Sequence, residues 1–90
     1  MEFEWDRTKG AINLKKHGVS FQEAASVFLD PLALTFDDPD HSIGEHRLLT
    51  FGRTKTQELV IVSHTETDGT IRVISARHMK KHERNIYEEG

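Results

Sequence analysis

The stretch Leu59-Val60-Ile61-Val62-Ser63-His64-Thr65-Glu66-Thr67-Asp68-Gly69-Thr70-Ile71-Arg72-Val73-Ile74-Ser75-Ala76 decides the fold. Two runs rich in β-branched residues, Leu59–Glu66 and Ile71–Ala76, flank Asp68-Gly69, the dipeptide that most readily supplies the positive φ angles of a tight hairpin. The prediction is an antiparallel strand pair. Its register is open between two choices. With a two-residue Asp68-Gly69 loop, Thr65 faces Arg72 and His64 faces Val73, so that His64, Glu66 and Arg77 share one face and Arg72 the other. With a three-residue Thr67-Asp68-Gly69 loop ending in a bulge, His64 faces Arg72. A slip of one residue exchanges the faces, and both registers set His64 beside an arginine.

Upstream of the hairpin, the spacing predicts strands over His46–Gly52 and Leu32–Phe36, separated by the turn cluster Asp37-Asp38-Pro39-Asp40. Before them, Ser20-Phe21-Gln22-Glu23 reads as a capping box in which the serine oxygen and the glutamate each take a free amide. Phe21, Ala24, Ala25 and Phe28 follow at helical spacing, and Asp30-Pro31 stops the helix. At the start, Phe3 and Trp5 alternate with Glu2, Glu4 and Asp6 as in a short strand. Asp6 then caps a helix running to His17. Lys15, Lys16 and His17 suit its negative end, and Gly18 suits its left-handed stop. Downstream, Lys80–Glu89 forms a polar helix in which only Ile86 and Tyr87 are large and apolar, so it is expected at the domain edge. The order is β-α-α-β-β-β-β-α. This is an α+β fold with a mostly antiparallel sheet, two N-terminal helices that can share one sheet face, and a C-terminal helix.

The 90 residues make one domain, 1–90, with a thin core, because a chain this short buries only about 60–65% of its unfolded surface. Cysteine is absent, which excludes a disulfide framework. No signal peptide is visible at Met1–Asp6 and no apolar run is long enough to span a bilayer, so the expected setting is cytoplasmic, without a membrane partner. The net charge of −3 hides an asymmetry. Residues 1–45 carry 4 Lys+Arg against 9 Asp+Glu, a net of −5, whereas residues 46–90 carry 8 against 6, a net of +2. Arg72, Arg77, Lys80, Lys81 and Arg84 gather near the C-terminus, and Lys80, Lys81 and Arg84 are candidates for holding an RNA backbone.

No phosphate-binding loop, dinucleotide fingerprint, nucleophile elbow or HExxH motif is present. His78 and His82 stand four apart, a metal-ligand spacing, but no third ligand has an evident place. The expectation is therefore no metal and no cofactor. The polar residues set among apolar strands are Arg53, His64, Glu66, Arg72 and Arg77. Such a strand arginine either snorkels or points at an anion. A histidine among arginines suits phosphodiester cleavage. RNA carries its own 2′-hydroxyl nucleophile, so the protein needs a base, an acid and cations for the developing phosphorane charge. Arg53, His64, Arg72 and Arg77 are the candidate catalytic residues, and no metal is required. The same residues would equally serve a module that binds without cleaving.

The chain resembles the BrnT toxins over nearly its whole length. The resemblance is carried by Phe3-Glu4-Trp5-Asp6, Asn13-Leu14-Lys15-Lys16-His17-Gly18-Val19-Ser20-Phe21, Val27-Phe28-Leu29-Asp30-Pro31, Ile74-Ser75-Ala76-Arg77, and Glu83-Arg84 with Tyr87-Glu88-Glu89. It implies a RelE-like fold and a type II toxin that cleaves RNA and arrests translation. It also implies a BrnA-like antitoxin with a ribbon-helix-helix part, through which alone the complex meets operator DNA. Arg77 carries over best as a site residue, and Arg53 and Arg72 match less distinctively. His64 is inferred from spacing and not from the resemblance. His78-Met79-Lys80-Lys81 departs from the smaller residues expected after the Ile74–Arg77 segment, which bears on where the last helix starts. Lys16, His17 and Gly18 are read as a helix end. Two other classes stay open: a toxin-like module that only binds its antitoxin, and a metal-dependent hydrolase using the histidines. The antitoxin is expected to cover the basic pole or to displace the final helix.

Overall fold

The computed structural model describes residues 1–42 and 44–90. Its elements are β1 (Glu2–Glu4), α1 (Arg7–His17), α2 (Phe21–Ala25) continued by a 3₁₀ turn (Ser26–Leu29), β2 (Leu34–Asp37), β3 (Leu48–Arg53), β4 (Leu59–Thr67), β5 (Thr70–His78) and α3 (Lys81–Glu89). The α+β class and the element order are as expected. The five strands stand in the order β1-β5-β4-β3-β2. All neighbours are antiparallel except β1 and β5, which run parallel, so the sheet is mixed.

The β4–β5 hairpin adopts the two-residue register. Asp68 and Gly69 have φ of 51° and 82°, Thr67 pairs with Thr70, and His64 pairs with Val73. A bulge then intervenes. Ser63 pairs with Ser75, which leaves Ile74 as the extra residue. The bulge reverses the faces of everything after it, so Arg77, opposite Ile61, stands on the face away from His64.

The two faces bury different clusters. On one, Val60, Val62, Val73 and Ala76 pack under Val19, Phe21, Ala24 and Val27 of the α1–α2 region. Gly52 allows this contact, since a Cβ there would lie 2.8 Å from the Val27 Cβ. On the other face, Phe51 and Ile61 pack with Met79 and Tyr87. The last helix therefore covers a sheet face and does not sit at the domain edge. Tyr87 is its apolar anchor, whereas Ile86 is 44% exposed.

Local chemistry explains the helix ends. Asp6 accepts the Lys9 amide at 2.9 Å, and Gly18, with φ 72°, closes α1. Ser20 accepts the Glu23 amide at 3.0 Å, which is half of the expected capping box. The other half is replaced, because the Glu23 carboxylate takes hydrogen bonds from Thr54 and Thr56. Asn13 is the one buried residue of α1. Its amide donates to the carbonyls of Val19 and Ala76 at 2.9 Å each and accepts the Ala76 amide at 3.1 Å. Because β1 pairs with β5 only as far as Arg72, Asn13 supplies the edge partner that the strand lacks beyond it. Among the described residues no helix is long and apolar enough to cross a membrane.

Candidate RNA-binding end of the sheet

The strand directions sort the charges. β3 and β5 both finish, and β4 begins, at one end of the sheet. Arg53 is the last residue of β3 and pairs with Leu59, and His78 pairs with Val60 one position away. The loop from Thr54 to Glu58 and the start of α3 add Lys55, Lys80, Lys81 and Arg84 to this end, all exposed. The opposite end carries Glu66 and Asp68 at and near the hairpin tip, Asp37 at the end of β2, and Asp38, Asp40 and Glu45 between β2 and β3.

Arg53 is built into a frame. Its amide donates to Asp30 Oδ2 at 2.8 Å, the Tyr87 hydroxyl donates to the same oxygen at 2.5 Å, and the Leu32 amide donates to Oδ1 at 2.9 Å. Burial raises the Asp30 pKa, but the hydrogen bonds from Tyr87 and the two amides outweigh it and hold the carboxyl below its ordinary value. Burial and the Asp30 carboxylate push the Tyr87 hydroxyl up, and the nearby Arg53 charge opposes them. Next to Arg53, the Lys55 amide donates to Ser26 Oγ at 2.9 Å. Thr54 is buried, and its hydroxyl and that of Thr56 both reach Glu23 Oε2. A hollow of about 220 Å³ results, lined by Leu29, Asp30, Arg53, Thr54 and Lys55 among others.

Arg77 is engaged differently. Its guanidinium donates to both Glu83 oxygens at 2.8 Å and to the His78 carbonyl at 3.2 Å. Glu83 also accepts the Lys80 amide at 2.7 Å, which caps α3 from within. The Arg77 guanidinium, opposed by burial and helped by the Lys80 amide, brings Glu83 down to about 2, and Glu83 in turn raises Arg77. Arg77 therefore ties β5 to α3, with its side chain 39% exposed at the edge of the basic end. Arg84 lines a second hollow there with His78, Met79 and Glu58.

Two predicted site residues stand apart. Arg72 is near the other end of β5, in register with Glu4 and beside Trp5 and Asp6. His64 is 1% exposed, on the face opposite the arginines. Its Nε2 shares a hydrogen bond with Thr50 Oγ1 at 2.7 Å, and its ring stands edge-on to Phe28 at 4.9 Å. Among the described residues Nδ1 meets no side-chain hydrogen-bond partner. Burial lowers its pKa, with the Thr65 backbone and the Glu66 charge opposing. The expectation that His64 lies beside an arginine is thus corrected by the Ile74 bulge. The gathered set is Arg53, Arg77, Lys80, Lys81 and Arg84. Sequence reasoning missed Lys55, an isolated cation in a polar loop, and the Asp30–Tyr87 frame, whose partners lie 57 residues apart. Among the described residues, no group of three His, Cys, Asp or Glu is placed to share a metal ion.

No curated protein matches the chain. The crystal structure of the Brucella abortus ribonuclease toxin BrnT is similar in fold, with a TM-score of 0.69 and 23% sequence identity, over 90% of this chain and 99% of that one. Residues 5–83 match the model of the family described as ribonuclease toxin, BrnT, of type II toxin–antitoxin systems. The chain, with six of its twelve lysines and arginines at one end of a five-stranded sheet, belongs to the BrnT family of ribonuclease toxins.

Proposed function

We propose that this protein is a metal-independent endoribonuclease whose cleavage of RNA arrests translation, and that a BrnA-like ribbon-helix-helix antitoxin silences it. The observation that carries the reading is the grouping of Arg53, Arg77, Lys80, Lys81 and Arg84 at one end of the sheet in a member of a ribonuclease toxin family. The 2′-hydroxyl attacks the adjacent phosphate, its proton passes to a base, and the 5′-oxygen leaves with a proton from an acid. Arg53 and the neighbouring cations hold the added negative charge of the phosphorane. His64 is too buried to take part. His78 and His82 are the imidazoles at this end, and they supply the proton transfers.

Binding of operator DNA belongs to the antitoxin. The toxin's part in silencing is to present the basic end, where an acidic or apolar antitoxin segment blocks the phosphate path. The test is cleavage of a defined RNA by the purified chain, with and without EDTA. The expected result is equal cleavage in both, reduced at least tenfold in the Lys80→Ala/Lys81→Ala/Arg84→Ala protein. Cleavage abolished by EDTA and restored by a divalent ion would transfer the chemistry to a metal.

A further inference from the structure

Helix α1 is unlike the half of the chain that contains it. Residues 1–45 are net negative, yet Arg7–His17 holds Arg7, Lys9, Lys15 and Lys16 and no acidic residue. Among the described residues none of these cations is in an ion pair. Helix stability accounts for Lys15 and Lys16, which lie in the last turn, where cations oppose the negative end of the dipole. It does not account for Arg7 and Lys9. They lie in the first turn, where the dipole disfavours a positive charge. Packing does not require them either, since Asn13 is the only residue of the helix that is buried.

What the helix does form is a groove. Lys9, Ile12 and Lys16 fall at i, i+3 and i+7 on one side of α1 and face Ile74 and Ser75 of β5 across an opening of about 220 Å³, with His17 at its end. The opening exists because β1 stops pairing at Arg72 and the bulge at Ile74 follows, so among the described residues no strand covers β5 there. The groove has an apolar floor, two ammonium groups, a hydroxyl and an imidazole. These are suitable partners for a sugar–phosphate chain and its bases. Two residues beyond Ser75, about 7 Å along the strand, is Arg77, at the edge of the basic end.

We infer that the α1–β5 groove is a second RNA-backbone site, which holds the strand on one side of the cleaved bond through Lys9 and Lys16. The inference rests on the ribonuclease reading for the identity of the ligand. It adds a binding subsite outside the reacting end, so RNA must exceed a minimum length to use it.

The experiment measures anisotropy of fluorescent 2′-O-methyl RNA, which lacks the nucleophile and reports binding without cleavage, as a 20-mer and a 6-mer across a salt series. The Lys9→Ala/Lys16→Ala protein is compared with Arg7→Ala/Lys15→Ala, which loses the same charge from the same helix outside the groove. Alanine favours helix, and circular dichroism confirms that both proteins fold. The expected result is a loss of about tenfold in 20-mer affinity for Lys9→Ala/Lys16→Ala, with the salt slope falling by about 1.4. The control pair changes by less than about twofold, and the 6-mer affinity is the same in all three proteins. Equal losses in the two pairs would reduce the groove to a general field and overturn the inference. Unchanged RNA affinity with lost antitoxin binding would overturn it in favour of a protein interface. A wild-type chain that binds the 20-mer through the groove but cleaves no unmodified RNA would sink the ribonuclease reading and leave the groove standing. A wild-type chain that binds neither RNA would sink the groove.

Discussion

At the end of the sheet where β3 and β5 finish, cations gather, and beside the local Arg77–Glu83 pair there are bonds that span the chain. Asp30 meets Tyr87 across 57 residues, and Glu23 meets Thr56 across 33. At the other end the charges are negative and the pairs are local. Asp38 holds His41, Asp37 holds His46, and Glu45 holds Arg47, with no partners more than nine residues apart. Long-range polar bonds fix side chains relative to one another only after the whole domain has folded, whereas local pairs order a turn and little else. On the proposed ribonuclease reading, a phosphate site needs cations at fixed separations, and the long-range hydrogen bonds of Asp30 and Glu23 lie beside Arg53 and Lys55. The acidic end repels a polyanion and needs no such precision.

The sharpest way to break this contrast is to remove one arginine from each end. Arg53→Ala takes a guanidinium from the framed hollow while leaving its backbone bond to Asp30 in place. RNA cleavage is expected to fall by about 100-fold, the scale for losing one preorganised stabiliser of transition-state charge. Arg72→Ala, beside Glu4, is expected to change the rate by less than about threefold. Single-turnover cleavage of one RNA by the two proteins measures the difference. A larger loss from Arg72 would move the reacting centre to the other end of β5.

Much of the fold was legible because its signals are local. Asp68-Gly69 declares its turn by composition, Gly18 its left-handed stop, and Ser20 its cap. The bulge at Ile74 was not legible, since an isoleucine in a strand gives no sign that it is unpaired. That single residue decided which face Arg77 occupies and so removed His64 from the arginines. The site was legible as charge but not as geometry. Lys80, Lys81 and Arg84 are a cluster in any reading, whereas Lys55 joins them only because Ser26 and Glu23 pin its loop. Glu23 itself looked like a capping residue, and nothing nearby in sequence shows that its carboxylate has a distant use. The cations of α1 were hidden by the sum over their half of the chain.

The Arg77–Glu83 tie is the local pair of the basic end, six residues apart, and pH tests what it adds there. Glu83 has an ordinary pKa of 4.5 and lies at about 2 in the folded protein. Its depressed value means that the folded state prefers the carboxylate more than the unfolded state does. The stabilisation is therefore complete above about pH 4.5 and is lost as pH falls toward 2. Glu83→Gln removes it at neutral pH, and the charge-assisted, bidentate geometry sets the cost at about 1–3 kcal/mol. Urea unfolding of both proteins between pH 7 and pH 2 checks this. The curves are expected to lie apart at pH 7 and to converge in acid. A constant separation would mean that Glu83 acts through packing and not through its charge.

The smallest effect is expected at the acidic end. His46 and Asp37 are 2.8 Å apart, the same distance as Arg77 and Glu83, but their side chains are 68% and 72% exposed. Water screens the attraction, and two mobile side chains lose freedom to make it. His46→Ala should therefore move the melting temperature by less than about 3 °C at pH 6. Calorimetry with a parallel Tyr87→Phe sample gives the comparison its scale, because that change removes only the hydroxyl that Asp30 accepts at the other end. Tyr87→Phe is expected to lower the melting temperature more than His46→Ala does. The reverse order would show that the His46–Asp37 pair contributes to global stability, and that tertiary hydrogen bonding is not what distinguishes the two ends.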